Sequence, residues 1–229
     1  MKLVTNIMCM NEIERLPRLI ESLDFLDEIY IVDGGSTDGT IEYLSSMPKV
    51  KLFRNEWPHD HAIQRNFILD KTPDDSWIFY IDCDELPTIP LRQEMRNITE
   101  SDEITNVVEN CKDEQVPAIW MRGINLVKDE AHYDKNSLYE LSRIFYKKDS
   151  SLRWKAEDHI HSTLNKQLFG ISLGPQFSIV HFAALVSEDK LVDKRKIYTE
   201  LGGETAAKEY YLLWPEKWIT EELPYYIKF

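Results

Sequence analysis

Three carboxylates within four residues, Asp82-Cys83-Asp84-Glu85, stand directly behind the apolar run Trp77-Ile78-Phe79-Tyr80-Ile81. Anions this close raise one another's pKa unless a cation neutralises them. Oxygen-only ligands suit a hard divalent ion such as Mg²⁺ or Mn²⁺. The run before them reads as a buried strand, and the carboxyl end of such a strand is where an open α/β sheet binds its ligands. Side chains two apart on an extended chain point the same way, so Asp82 and Asp84 are expected to converge on one object, with Cys83 turned away into packing. The competing reading is a strand that ends in a solvated acidic turn.

A second cluster lies upstream, Asp33-Gly34-Gly35-Ser36-Thr37-Asp38-Gly39-Thr40. It follows the strand pattern Glu28 to Val32 and precedes Ile41-Glu42-Tyr43-Leu44, which opens a helix. Strand, glycine-rich turn and helix start together present bare backbone N–H groups and a positive helix end to a phosphate or nucleotide. Asp33 is a hydrogen-bond acceptor suited to a base N–H or a ribose hydroxyl, and Asp38 or Thr37 suits the helix N-cap. Neither a P-loop nor a GxGxxG fingerprint is present. His59-Asp60-His61 has the residue types of a phosphohydrolase metal site. No second such pair accompanies it, and Asp60 also suits an N-cap, with His59 within reach of a nucleotide or donor sugar.

The elements that must hold these residues alternate. Leu3 to Met8 predicts a first strand. Leu16, Leu19, Ile20 and Leu23, at i, i+3, i+4 and i+7, predict a helix over Arg15–Leu23, with Pro17 early in it. Strands at Glu28 to Val32, Val50 to Phe53 and Trp77 to Ile81, with helices near Thr40 to Ser46 and His61 to Asp70, complete a βαβαβαβ run. That order argues a parallel, doubly wound sheet. A polar helix over Leu91 to Ile98 and an acidic surface stretch over Thr99 to Glu114 follow. Strand patterns at Ala118 to Gly123, Leu141 to Tyr146 and Phe177 to Phe182 lack intervening helices and predict antiparallel additions. The tail from Ser187 to Phe229 reads as helical and then aromatic (Tyr210, Tyr211, Trp214, Trp218, Tyr225, Tyr226), its aromatics expected in core. No repeat, low-complexity tract or linker interrupts the 229 residues, so one domain is expected.

Composition narrows the partners. Forty acidic against 27 basic residues give a net charge of −13, a field that opposes unaided nucleic acid or an anionic membrane and suits divalent cations or plain solubility. Cys9, Cys83 and Cys111 are odd in number and lack CxxC spacing, which argues a reducing, cytoplasmic setting and no structural zinc. The amino terminus reads as a strand rather than a signal peptide, and no apolar run approaches the ~20 residues of a membrane span.

Asn11-Glu12, Asp27-Glu28-Ile29 running into Asp33 to Thr40, Gln64-Arg65-Asn66-Phe67 and Asp82-Cys83-Asp84-Glu85 together resemble the family 2 glycosyltransferases, in particular the branch similar to lipopolysaccharide core β-1,4-glucosyltransferases. The likeness is strong over roughly 1–90 and looser over 115–185, with none recognised after about 190. It implies a GT-A fold with a nucleotide-sugar-binding half (1–90), an acceptor-side half (115–185) and a helical, aromatic-rich extension (187–229). It also implies inverting transfer from a nucleotide-sugar, by family habit a UDP-sugar, to an unidentified hydroxyl on a glycan, lipid-linked sugar, protein or modified base. Asn11, Glu12, Asp33, Gly35 and Ser36 match the part that holds base and ribose. Asp82-Cys83-Asp84 match the DxD element, in which one carboxylate meets the ribose or a metal-bound water and the other meets Mn²⁺ or Mg²⁺.

Arg65 is expected either to meet the diphosphate or to be a solvated helix arginine. His161 and His181 are candidates for a further metal ligand, the latter also readable as a packed histidine. Asp158, or Glu157, is the candidate base that deprotonates the acceptor. In this branch a His followed by Glu is usual near here, whereas Ser162 follows His161, which leaves the base assignment open. Two other classes stand beside this reading. A nucleotidyltransferase would need a basic residue in the glycine-rich loop, which has none. A nucleotide-binding module without catalysis would fit the missing Glu.

Overall fold

The computed structural model describes residues 1–135, 143–156, 162–182, 184, 185, 192, 196, 219–225 and 227–229. Strand and helix alternate in the first half as the apolar pattern predicts: β1 (Leu3–Cys9), α1 (Leu16–Ser22), β2 (Glu28–Asp33), α2 (Thr40–Ser45), β3 (Val50–Arg54), α3 (His61–Lys71) and β4 (Trp77–Tyr80). Next come β5 (Glu85–Pro87), α4 (Ile89–Thr99) and α5 (Asp102–Asn110). The second half holds β6 (Gln115–Asn125), β7 (His132–Asp134), β8 (Arg143–Lys147), β9 (Trp154–Ala156), β10 (Ser162–Leu164), β11 (Gln167–Ser172), β12 (Ser178–His181) and β13 (Thr220–Glu222).

Nine strands make one sheet in the order β3-β2-β1-β4-β8-β6-β12-β5, with β11 also on β6. The first four are mutually parallel. β8 enters antiparallel between β4 and β6, and β5 closes the far edge antiparallel to β12. β8 is an expected antiparallel addition, whereas β5 carries no strand pattern in the sequence. β12 meets the expectation only against β5, since it runs parallel to β6, and β11, which the sequence pattern does not predict, is also parallel to β6. β6 is 11 residues long and pairs its first half with β11 and its last four residues with β12. Two short smaller pairs, β9–β10 and β7–β13, stand apart from the sheet.

Alternate side chains of each central strand face opposite layers, as a pleated strand requires. Leu3 and Ile7 pack with Leu16 and Leu19 of α1 and Leu91 and Met95 of α4, whereas Val4 packs with Ile68 and Leu69 of α3. Trp77, Phe79 and Phe145 fill the centre, with ring centroids 5.7 Å apart along the chain of contacts. The stretch expected to be plain acidic surface contains α5. Its Ser101 cap accepts from the Ile104 N–H at 3.3 Å, and Ile104 and Val107 are buried. Near the carboxyl end Ile227 packs on Ile124, Leu126, Tyr133 and Val180. Tyr225 is exposed, against the core expectation, and Tyr210, Tyr211, Trp214, Trp218 and Tyr226 lie outside the described residues.

Topology creates the site. The chain leaves the sheet's middle at β4 and re-enters at its far edge as β5, so residues 81–84 bridge the two halves at the carboxyl edge. There β12 pairs with both β5 and β6. Register sets His181 opposite Glu85 on one side and Asn125 on the other.

Candidate functional site

Two loops at the carboxyl ends of β1 and β2 are laced together by side chains bonding backbone. Asn11 N–H donates to Ser36 Oγ at 2.8 Å, and Asn11 Oδ1 accepts from Thr37 N–H at 2.8 Å. Glu12 N–H donates to Thr40 Oγ1 at 3.0 Å and Ile13 N–H to Asp38 Oδ2 at 3.1 Å. Asn11 takes a left-handed φ of 58°, a conformation Asn tolerates better than most residues. Gly39, at φ 97°, is the N-cap of α2, in place of Asp38 or Thr37. Asp38 still serves that helix start, accepting from Thr40 N–H at 3.0 Å. Gly35, at φ 115°, faces open space, so the loop's backbone is bare on that side.

Asp33 is 1% exposed and turns into its own loop. Oδ1 accepts from the Gly35 and Ser36 N–H groups at 3.0 Å each, and Oδ2 accepts from Ser36 Oγ and, at 3.7 Å, Cys9 Sγ. Its structural part is therefore to hold the glycine turn closed. Burial, then the Asp33 charge, pushes the Cys9 thiol far up. Cys83 donates to Met8 O at 3.3 Å and burial pushes its thiol up, so its side chain packs as expected.

At the acidic turn the extended-chain premise fails. Residues 83 and 84 form a turn closed by Glu85 N–H to Asp82 O at 3.2 Å. The buried Glu85 carboxylate accepts from Asp82 N–H at 2.9 Å. The turn sends the two aspartates to different places. Asp82 lines a narrow cleft with Asn6, Met8, Arg65, Tyr80 and Trp154. Asp84 lines a cavity of about 230 Å³ with Arg15, Arg18, Glu130 and Phe182.

Asp84 is joined instead by His181, whose Nε2 lies 3.5 Å from Asp84 Oδ1. Phe182 N–H donates to Asp84 O at 2.8 Å and fixes the turn beside β12. His181 Nδ1 lies 2.7 Å from Asn125 Oδ1. An amide oxygen facing Nδ1 favours a hydrogen there, so Nε2 faces the Asp84 carboxylate as a donor where it carries a hydrogen and as a lone pair where it does not. Two lone pairs in that arrangement repel unless a proton or a cation lies between them. Asn125 carried no signal in the sequence, since only the β6–β12 register brings it to His181. Among the described residues no group of three or more His, Cys, Asp or Glu side chains gathers as a complete metal cage.

Arg65, on α3, is not the solvated helix arginine of the alternative reading. Its guanidinium lies 4.8 Å from the centroids of both the Tyr80 and Trp154 rings and donates to the Tyr80 and Ser162 hydroxyls. The His59-Asp60-His61 segment does structural work. Asp60 caps α3 by accepting from Ile63 N–H at 3.0 Å, and the His61 ring packs edge-on to Trp57 at 4.8 Å. Glu157, Asp158 and His161 lie outside the described residues.

Comparison with known proteins now gives the class. The model of glycosyl transferase family 2 matches residues 6–164, and the chain belongs to that family. The lipopolysaccharide core biosynthesis glycosyltransferase LpsC of Rhizobium meliloti is 37% identical over 103 residues, which is 43% of this chain and 37% of LpsC. The matched stretch thus spans well under half of that relative. Staphylococcus aureus TarS (residues 1–349), solved with UDP-GlcNAc, superposes with a TM-score of 0.55 at 17% identity, over 87% of this chain and 66% of TarS 1–349. A longer TarS structure gives 0.52, covering 87% of this chain and 39% of that one. The fold is the GT-A fold. Among the described residues no helix is long and apolar enough to cross a membrane.

Proposed function

We propose that this chain transfers a sugar from a UDP-sugar to an acceptor hydroxyl, with inversion and with help from a divalent cation. Family membership supports sugar transfer, and the UDP-GlcNAc held by TarS, which shares the fold, supports the donor. The observation that carries the metal reading is the Asp84–His181 pair, a carboxylate oxygen and an imidazole nitrogen facing each other at 3.5 Å. One carboxylate and one imidazole suit Mn²⁺ better than Mg²⁺ and leave room for diphosphate oxygens. Such a cation, when bound, offsets the charge that develops on the departing diphosphate.

The chain's own groups account for the remaining tasks. The cradle of residues 10–13 and 34–40 holds the nucleoside end, with Asp33 and Ser36 fixing the turn. Asp82, in the Arg65 cleft, faces the ribose side. His181 is kept in one tautomer by Asn125 and pairs with Asp84. Asp158, with Glu157 as the other candidate, removes the acceptor proton as its oxygen attacks the anomeric carbon opposite the diphosphate. The unpaired thiols suit a reducing cytoplasm.

The test is release of UDP from a panel of UDP-sugars in the presence of Mn²⁺. One donor is expected to turn over slowly even without acceptor. Asp158→Asn is expected to bind that donor normally and to lower transfer by ~10²-fold or more. Pyrophosphate released from a nucleoside triphosphate, or donor binding with no turnover under any acceptor, contradicts the reading. Unchanged turnover in Asp158→Asn moves the base to Glu157.

A further inference from the structure

The cavity beside Asp84 holds positive charge of its own. Arg65 lies elsewhere, on the Asp82 side of the turn, its guanidinium 4.8 Å from the centroids of two neighbouring rings and donating through Nη1 and Nη2 to two hydroxyls. Arg15 and Arg18, from the start of α1, line the Asp84 cavity together with Glu14, Glu85 and Glu130. Its volume of about 230 Å³ falls below the roughly 300 Å³ at which pockets for larger ligands begin. A diphosphate group suits that space better than a whole nucleotide does. Four carboxylates surround it, so an anion enters only where the guanidinium groups answer them.

Arg18 is built for exchange. Its Nη1 and Nη2 meet Glu130 Oε1 and Oε2 at 2.9 and 3.1 Å, the two-pronged geometry that a phosphate also offers. Both side chains of that pair are about half exposed, 46% and 56%, and an exposed pair is weakly held. Independently of Glu130, the guanidinium stands 5.0 Å from the Phe182 ring centroid and 5.4 Å from that of Phe229, which themselves pack edge to face at 5.6 Å. Phe182 directly follows His181. Stacking therefore keeps Arg18 at the mouth of the Asp84 cavity when its carboxylate partner departs. Arg15 is held by Glu12 at 3.0 Å, one turn nearer the cradle.

We propose that Arg18, seconded by Arg15, receives the donor's diphosphate, releasing Glu130 as the phosphate oxygens arrive. This rests on the nucleotide-sugar reading above. Calorimetry of UDP with Mn²⁺, and saturation-transfer NMR of uridine, test it on wild type, Arg18→Gln and Glu130→Gln, with melting curves to verify folding. Arg18→Gln is expected to weaken UDP about tenfold and leave uridine unchanged, because only the phosphates lose a partner. Glu130→Gln is expected to bind UDP at least as tightly as wild type, since a competitor for Arg18 has gone. Arg18→Lys, which keeps charge and stem but not the fork, is expected to fall between and serves if Arg18→Gln fails to fold. The proposal is overturned if Arg18→Gln binds UDP as wild type does, if it loses uridine in parallel, or if Glu130→Gln weakens UDP as much as Arg18→Gln. Those results leave the transferase reading standing. Wild type that binds no nucleoside diphosphate removes both.

Discussion

Glu28, at the first position of β2, accepts hydrogen bonds from Lys2 Nζ at 2.8 Å and from the Tyr30 hydroxyl at 2.7 Å. The Lys2 bond first, and the Tyr30 bond next, hold its carboxyl below the ordinary range. A folded-state pKa below the unfolded value of about 4.3 means that folding favours the ionised form. That stability is fully present above the unfolded value and is lost as pH falls through the folded one. Urea unfolding of wild type and Glu28→Gln is expected to show a stability gap that is widest near neutrality and shrinks below about pH 4. A gap independent of pH contradicts the assignment. The same attention to partners changes Asp33, which sits in a motif that reads as ligand-facing and is buried on internal donors, something a one-dimensional pattern does not reveal.

At the scale of elements, β11 depends on a residue without a side chain. Gly170 stands opposite Ala118 in the parallel β11–β6 pair, and a Cβ there would lie 1.7 Å from Ala118 O. Backbone cannot yield as a flexible side chain does, so Gly170→Ala is expected to cost ~1–3 kcal/mol or more. Thermal melting with limited proteolysis checks this. Cleavage near β11 is expected to quicken, and a melting temperature equal to wild type contradicts the close approach. The sequence made the longer elements readable. The Leu16-Leu19-Ile20-Leu23 stripe and the apolar runs of β1, β2 and β4 lie within a residue or two of the elements observed. β5, β7, β9, β10 and β13 have three residues each, too few for a period to show. The length of β6 lets β11 and β12 pair along it in succession, and their parallel direction is a matter of long-range topology that neighbouring residues do not encode.

For the molecule as a whole, the site is a product of register. Asp84 was visible in the sequence and so was His181, but their pairing depends on β12 lying between β5 and β6, some 100 residues away along the chain from the acidic turn (on the order of a whole domain). Asp82 and Asp84 do not converge as expected, because the turn at 83–84 replaces the extended chain that the run of apolar residues implied. A net charge of −13 gives a field that draws divalent cations and repels free diphosphate, and in the function proposed above a cation and the arginines at the sheet's carboxyl edge offset it. The most direct measurement is calorimetry of UDP with and without Mn²⁺ on wild type, Asp84→Ala and His181→Ala, with circular dichroism to confirm the fold. The account predicts binding that requires Mn²⁺ in wild type and is lost in both variants. Wild-type affinity in Asp84→Ala, with or without the metal, would contradict it.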